Sequence, residues 1–99
     1  MDKQKQAIAL TQELLASDFS RVMGRNEAEI KSALTEALVQ LLLHDLEKLW
    51  NILYRIDVNE HEVKALFAGS DATVIAPGLA NLIYKRAEQK ALTRLQYRS

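Results

Sequence analysis

"ALVQLLLHDLEKLWNILYRIDVNEHEV", residues 37–63, is the stretch on which the fold turns. With residues placed at 100° intervals, Leu38, Leu41, Leu42, Leu49, Ile52, Leu53 and Ile56 share one arc with Ile30 and Leu34 upstream, and Asp45 falls in the middle of it. An ionised carboxylate there is costly to bury without a partner, which leaves three arrangements. The helix breaks near His44 and restarts with Asp45 as its N-cap; or it continues with Asp45 held by Lys48 or Arg55; or Asp45 is a buried functional acid. A continuous helix from 27 to 56 would be about 45 Å long, against a diameter of roughly 34 Å for a compact chain of this size. It would protrude, or be shared with a second subunit.

The end of the same stretch reads as a corner. Asn59 followed by Glu62 is a capping-box pattern, with Val58 and Val63 at the positions of a hydrophobic staple, so a helix begins at Glu60. Glu60 and Glu62 in its first turn suit the positive end of the helix dipole, and Gly69 marks its end, giving a helix over roughly 60 to 68. Arg55 and Asp57 flank Ile56, as a clamp pairing with each other or with the free backbone groups at the bend.

Outward from this centre the signals remain helical. Ala7, Ile8, Thr11, Leu14 and Leu15 share one face of a helix over roughly 3 to 17. "SDFSRVMGRN" (17–26) interrupts it, Gly24 suits the turn, and Asn26 with Glu29 starts the next helix through a second capping box. Pro77 fits the first turn of a final helix over about 77 to 96, with Ala80, Ile83, Ala87, Ala91 and Leu95 inward, flanked by Leu79, Leu82 and Leu92. No stretch alternates at period two long enough for a convincing strand. The expectation is one all-α domain over 1–99, a compact bundle of four or five helices, with one long central helix as the alternative to a break at Asp45.

Composition narrows the function classes. The chain is 48% hydrophobic and 26% charged, which is the balance of a packed globule rather than a disordered segment. Thirteen Lys and Arg offset thirteen Asp and Glu, so no field of one sign steers the whole molecule to nucleic acid or an anionic membrane. Without cysteine there is no disulfide framework, thiolate zinc site or thiol nucleophile. "MDKQKQAIALTQELL" lacks the apolar core of a secretory signal, and His44, Asp45, Glu47 and Lys48 cut the richest apolar run, so the chain reads as cytoplasmic with no membrane partner.

The motifs of catalysis are incomplete. His44-Asp45 is the two-residue pair that metal-dependent phosphohydrolases carry, but His61 is the only other histidine. Glu60-His61-Glu62 diverge at 100° per residue, and "HEVKA" lacks the second histidine of a zinc-protease pattern. Asp57, Asn59 and His61 echo a calcium loop, yet Glu62 and Ala68 stand where Gly and Glu are needed. No phosphate loop is present, and no nucleophile and base can be nominated together. No catalytic, metal-binding or cofactor-binding residue follows, and no cofactor is implied.

"LYRIDVNE" (53–60) and "LANLIYKRAEQKALTR" (79–94) resemble segments of a group of small uncharacterised bacterial helical proteins, which carry LLYRIDV-x-E and LA-x-LI-x-x-R-x-x-QK. The resemblance covers the C-terminal half and implies a bacterial single-domain protein with no assigned activity. It also implies that Arg55, Asp57, Arg86, Gln89 and Lys90 form shared polar features.

The remaining signal is an apolar surplus. The second helical segment is apolar over nearly two thirds of its circumference around Val39 to Leu46 and Trp50, more than three short companions cover. The expected role is therefore non-enzymatic protein association, with Val39, Leu43, Leu46, Trp50 and Tyr54 as interface residues and a homodimer as the simplest outcome. Asp45, Arg55, Asp57, Asn59 and Glu62 form a structural polar corner. Two alternatives stand beside this: nucleic-acid binding through Lys85, Arg86, Lys90, Arg94 and Arg98 on the last helix, and a metal-dependent hydrolase at His44 and Asp45.

Overall fold

The computed structural model describes residues 3–16, 19, 24–68 and 71–98. It contains five helices in chain order: α1 (Lys3–Ala16), α2 (Glu27–His44), α3 (Leu46–Ile56), α4 (Glu60–Phe67) and α5 (Ala72–Arg98). Among the described residues there is no strand, and no helix is long and apolar enough to cross a membrane. The bundle is all-α, as its periodicity requires. Ser17 and Gly69, expected to close α1 and α4, lie outside the described residues.

Asp45 breaks the central segment. Its backbone leaves helical geometry (φ −153, ψ 70), and its carboxylate accepts a hydrogen bond from the Lys48 N–H at 3.1 Å. Its own N–H donates to the Leu41 carbonyl at 2.9 Å, so one residue closes α2 and opens α3. The long continuous helix is excluded by this exposed cap, and so is a buried acid. The gain is geometric: Ile30, Leu34 and Leu38 of α2 and Leu49, Ile52, Leu53 and Ile56 of α3 all turn into one core.

Local capping sets the other starts. The Asn26 side chain accepts from the Glu29 N–H at 2.9 Å, while the Glu29 carboxylate reaches back to the Arg25 N–H at 3.0 Å. Asn59 accepts from the N–H groups of His61 and Glu62 at 2.9 and 3.2 Å. Each cap satisfies amides that the first turn leaves without an intrahelical acceptor. Gly24 sits so close to α2 that a Cβ there would lie 2.7 Å from the Glu29 Cβ and 2.8 Å from the Ile30 nitrogen. The Gln12 amide brackets the same glycine, donating to its carbonyl at 2.9 Å and accepting from its N–H at 3.2 Å, which ties α1 to the entry of α2.

The last helix departs from its expected start. It begins at Ala72, and Pro77 lies inside it. The Asp71 carboxylate accepts from the Thr73 N–H and hydroxyl, and the Asp71 carbonyl takes the Val74 and Ile75 amides. These bonds, the Thr73 hydroxyl first, hold the exposed Asp71 carboxyl below its ordinary value. Burial of Ile75 and Ala76 then outweighs the bias that proline places on the residue before it, while Pro77 itself faces solvent. The Thr73 carbonyl that Pro77 cannot serve is on an exposed residue, where water replaces the lost bond.

With 27 residues, α5 runs about 40 Å at about 1.5 Å per residue, close to the 43 Å long axis of the molecule. It packs against all four other helices. Ala76, Leu79, Ala80, Ile83, Tyr84, Ala87 and Ala91 are buried along it, whereas Leu92, expected on the flank of the stripe, is half exposed. Small residues at buried positions of both α1 (Ala7, Thr11) and α5 (Ala87, Ala91) let those two axes approach closely. Gly78 does the same for α4, since a Cβ there would lie 2.5 Å from a Leu66 methyl.

Among the described residues, one buried side-chain group lacks a hydrogen-bond partner. The Tyr84 hydroxyl is buried without a hydrogen bond, and Lys31 Nζ stands over its ring at 5.4 Å from the centroid. Burial, followed by the charges of Glu88 and Glu27, pushes the phenol up from 10.0 to about 12. Tyr84→Phe is therefore expected to stabilise the protein by about 1 kcal/mol at neutral pH. The fold favours the protonated phenol, so its contribution is complete below pH 10.0 and is lost as pH climbs towards about 12. Urea unfolding of both proteins at pH 7 and pH 11 should show a smaller alkaline loss for the Phe variant; a Phe variant weaker at pH 7 would mean that the hydroxyl is satisfied.

Candidate functional site

Leu46, Trp50 and Tyr54 follow one another at four-residue spacing along α3 and form a ridge on its outer side. They are 46%, 37% and 78% exposed, and Leu43 at the end of α2 is 62% exposed. Val39, expected beside them, is half buried and packs against the core, so it belongs to the interior rather than the ridge. Val39 lies one turn further from the end of α2 than Leu43, where neighbouring core residues cover it.

Trp50 is not a loose side chain. Its ring stacks on Phe67 of α4 with centroids 5.2 Å apart and planes at 26°. An aromatic held this way presents its other face already ordered, so a partner loses little side-chain entropy on meeting it. The Phe67 contact could not be read from sequence, since nothing local links the two positions.

Beside the ridge, α3, α4 and α5 enclose an open groove of about 1030 Å³. Leu53, Val63 and Leu82 supply its apolar lining, and Trp50 and Tyr54 form the wall shared with the ridge. Three acids (Asp57, Glu60, Glu62) and three cations (Lys64, Lys85, Arg86) line it as well, so its acids and cations balance.

Asp57 lines the groove at the corner between α3 and α4. Asp57 caps α3 in the left-handed region at φ 65 and ψ 53, the only non-glycine residue with positive φ among those described. Its carboxylate pairs with Arg86, a partner the spacing around Ile56 does not contain. Arg86 Nε donates to the Asp57 carbonyl at 3.2 Å, one Nη reaches the Asp57 carboxylate at 3.3 Å, and the other donates to Gln89 at 2.7 Å. The two pairing residues lie on different helices, which is why sequence spacing misses the link. Arg55 is exposed at the end of α3.

Relief of the left-handed strain at Asp57 is worth about 1 kcal/mol, whereas the exposed ion pair is worth roughly 0 to 1 kcal/mol. Asp57→Gly should therefore match the parent or gain up to about 1 kcal/mol, and Asp57→Ala should lose about 0 to 1 kcal/mol, because it keeps the strain and drops the carboxylate. Thermal denaturation of the pair checks this, and equal losses would place the effect in the ion pair alone.

The other candidates do not assemble. His44 is exposed at the end of α2, Asp45 is occupied as a cap, and among the described residues no three His, Cys, Asp or Glu come close enough to hold a metal ion. Asn59 caps α4, and Glu62 contributes its N–H to that cap. Lys85 and Arg94 are exposed, Lys90 is half buried and Arg86 is engaged with Asp57 and Gln89; the Arg98 side chain lies outside the description. At 100° per residue, Lys85 and Arg94 sit on opposite sides of α5. No family model, no curated protein and no solved structure matches the chain.

Proposed function

We propose that this chain is a non-enzymatic protein-association module of the cytoplasm, whose working surface is the ridge Leu43, Leu46, Trp50 and Tyr54, with self-association as its simplest form. The observation that carries the reading is four large apolar side chains at 37% to 78% exposure gathered between positions 43 and 54, whereas the other exposed large apolar residues, Val74, Leu92 and Tyr97, are scattered along α5. Such a patch is expensive to leave in water and is typical of an interface. Trp50, backed by Phe67, supplies the kind of rigid aromatic that dominates binding energy at interfaces. A balanced charge supports a partner that is neither a polyanion nor a charged lipid surface.

Light scattering at micromolar concentration tests this reading. Twice the monomer mass is the expected result. A monomer mass that is unchanged across the concentration range would sink self-association.

A further inference from the structure

We infer that the groove between α3, α4 and α5 takes an uncharged, proline-rich segment of a partner protein, laid along α5 as a polyproline II helix. The inference goes beyond the association reading: the groove shares Trp50 and Tyr54 with the ridge but does not depend on a second copy. Its ground is the hydrogen-bonding character of the α5 wall. Asn81, Lys85 and Gln89 line the groove at four-residue steps along that helix. The side-chain oxygen of Asn81 already accepts from Lys31 Nζ at 2.8 Å, and that of Gln89 from an Arg86 Nη at 2.7 Å. What the three residues offer an occupant is therefore N–H: two amide groups and an ammonium, none of which has an acceptor among the described residues.

A wall of donors selects an occupant with acceptors to spare. An α-helix uses its backbone carbonyls internally, and a β-strand brings an N–H with each carbonyl. A proline-rich segment has no N–H at its prolines, and in the polyproline II form none of its carbonyls is engaged within the chain. The wall shared with the ridge suits the same occupant. Trp50, held by its stack on Phe67, and Tyr54 give the aromatic lining on which such segments dock. Length agrees: from Asn81 to Gln89 α5 rises about 12 Å, which is about four residues of polyproline II at about 3.1 Å each. Charge agrees too. Asp57 pairs with Arg86 at 3.3 Å and Glu60 with Lys64 at 3.4 Å, which leaves Glu62 and Lys85 with opposite signs. An uncharged segment matches a groove whose acids and cations balance, whereas a peptide of one sign meets repulsion as well as attraction.

The probe is decaproline, acetylated and amidated so that it carries no charge, with an equally long glycine–serine peptide as the control. Emission of the single tryptophan reports binding, and light scattering on the same samples reports the mass of the protein. Decaproline should move the emission to the blue with a Kd of about 100 µM, and the control should leave it unchanged. Asn81→Asp with Gln89→Glu keeps the oxygens that hold Lys31 and Arg86 and removes both amide donors, so it should weaken decaproline by about 10-fold or more with unchanged circular dichroism. Leu43→Lys with Leu46→Glu lies outside the groove lining and keeps a second copy from competing for Trp50, so binding should persist there. The proline-rich occupant is overturned by equal binding of the two peptides, by an affinity that ignores the loss of the Asn81 and Gln89 donors, or by no response from the Leu43 and Leu46 variant at about 1 mM peptide. The mass of the parent protein is read separately, so failure of this inference and failure of self-association are told apart.

Discussion

Replacing Leu43 with lysine and Leu46 with glutamate together is expected to weaken self-association by about 100-fold or more, and to turn a micromolar dimer into a monomer without disturbing the fold. Both side chains are exposed, at 62% and 46%, so neither supports the core. Leu43 lies in the last turn of α2, where a cation suits the dipole, and Leu46 opens α3, where an anion does. The pair adds no net charge, so a change in mass cannot be assigned to general repulsion. What changes is the interface: two apolar groups that would leave water become two ions that must be desolvated. The single tryptophan gives a second readout, because Trp50 is partly exposed and would enter a drier setting on pairing. Its emission should shift to the blue as the parent protein is concentrated and stay fixed in the double variant. Equal masses for the two proteins, with unchanged circular dichroism, would count decisively against the ridge.

The opposite pattern is expected at Leu34. It is fully buried on α2, in the core formed with α5, and Leu34→Ala should cost about 3 kcal/mol through lost transfer energy and the cavity left behind. For a domain of this size that lowers the melting midpoint by about 12 to 24 °C. Leu43→Ala on the same helix should move it hardly at all, within about 0.5 kcal/mol, because its side chain is already in water. The contrast between two leucines of one helix separates core from surface directly. A small shift at Leu34 would mean that α2 does not pack on α5 as described.

Much of the architecture was legible because its causes are local. Asn26, Asp45 and Asn59 each bond amides two or three residues ahead, and that is the range over which a capping pattern is written in sequence. The buried stripe of α2 and α3 was legible for a similar reason, since helical period alone places Leu34, Leu38, Leu49 and Ile52 together. Pro77 misled because its local preference is real but small beside the burial of Ile75 and Ala76 and the cap at Asp71. The site was less legible. The link from Asp57 to Arg86 and the stacking of Trp50 on Phe67 depend on how α4 and α5 fold back, which no short window records. Val39 differs for want of the same information: an apolar surplus counted around one helix does not say which of its members the other helices will cover.

The joint at Asp45 also constrains how this chain can change. Most bends between helices are loops whose length can drift, but here a single residue connects two rods that share one core. Deleting one residue would rotate α3 by about 100° relative to α2, carrying Ile52 and Ile56 towards solvent and the tryptophan ridge towards the interior, and adding one would rotate it as far the other way. Side chains around the bend can therefore vary while its length cannot, and the spacing between Leu38 and Leu49 becomes as strict a requirement as the identity of either leucine.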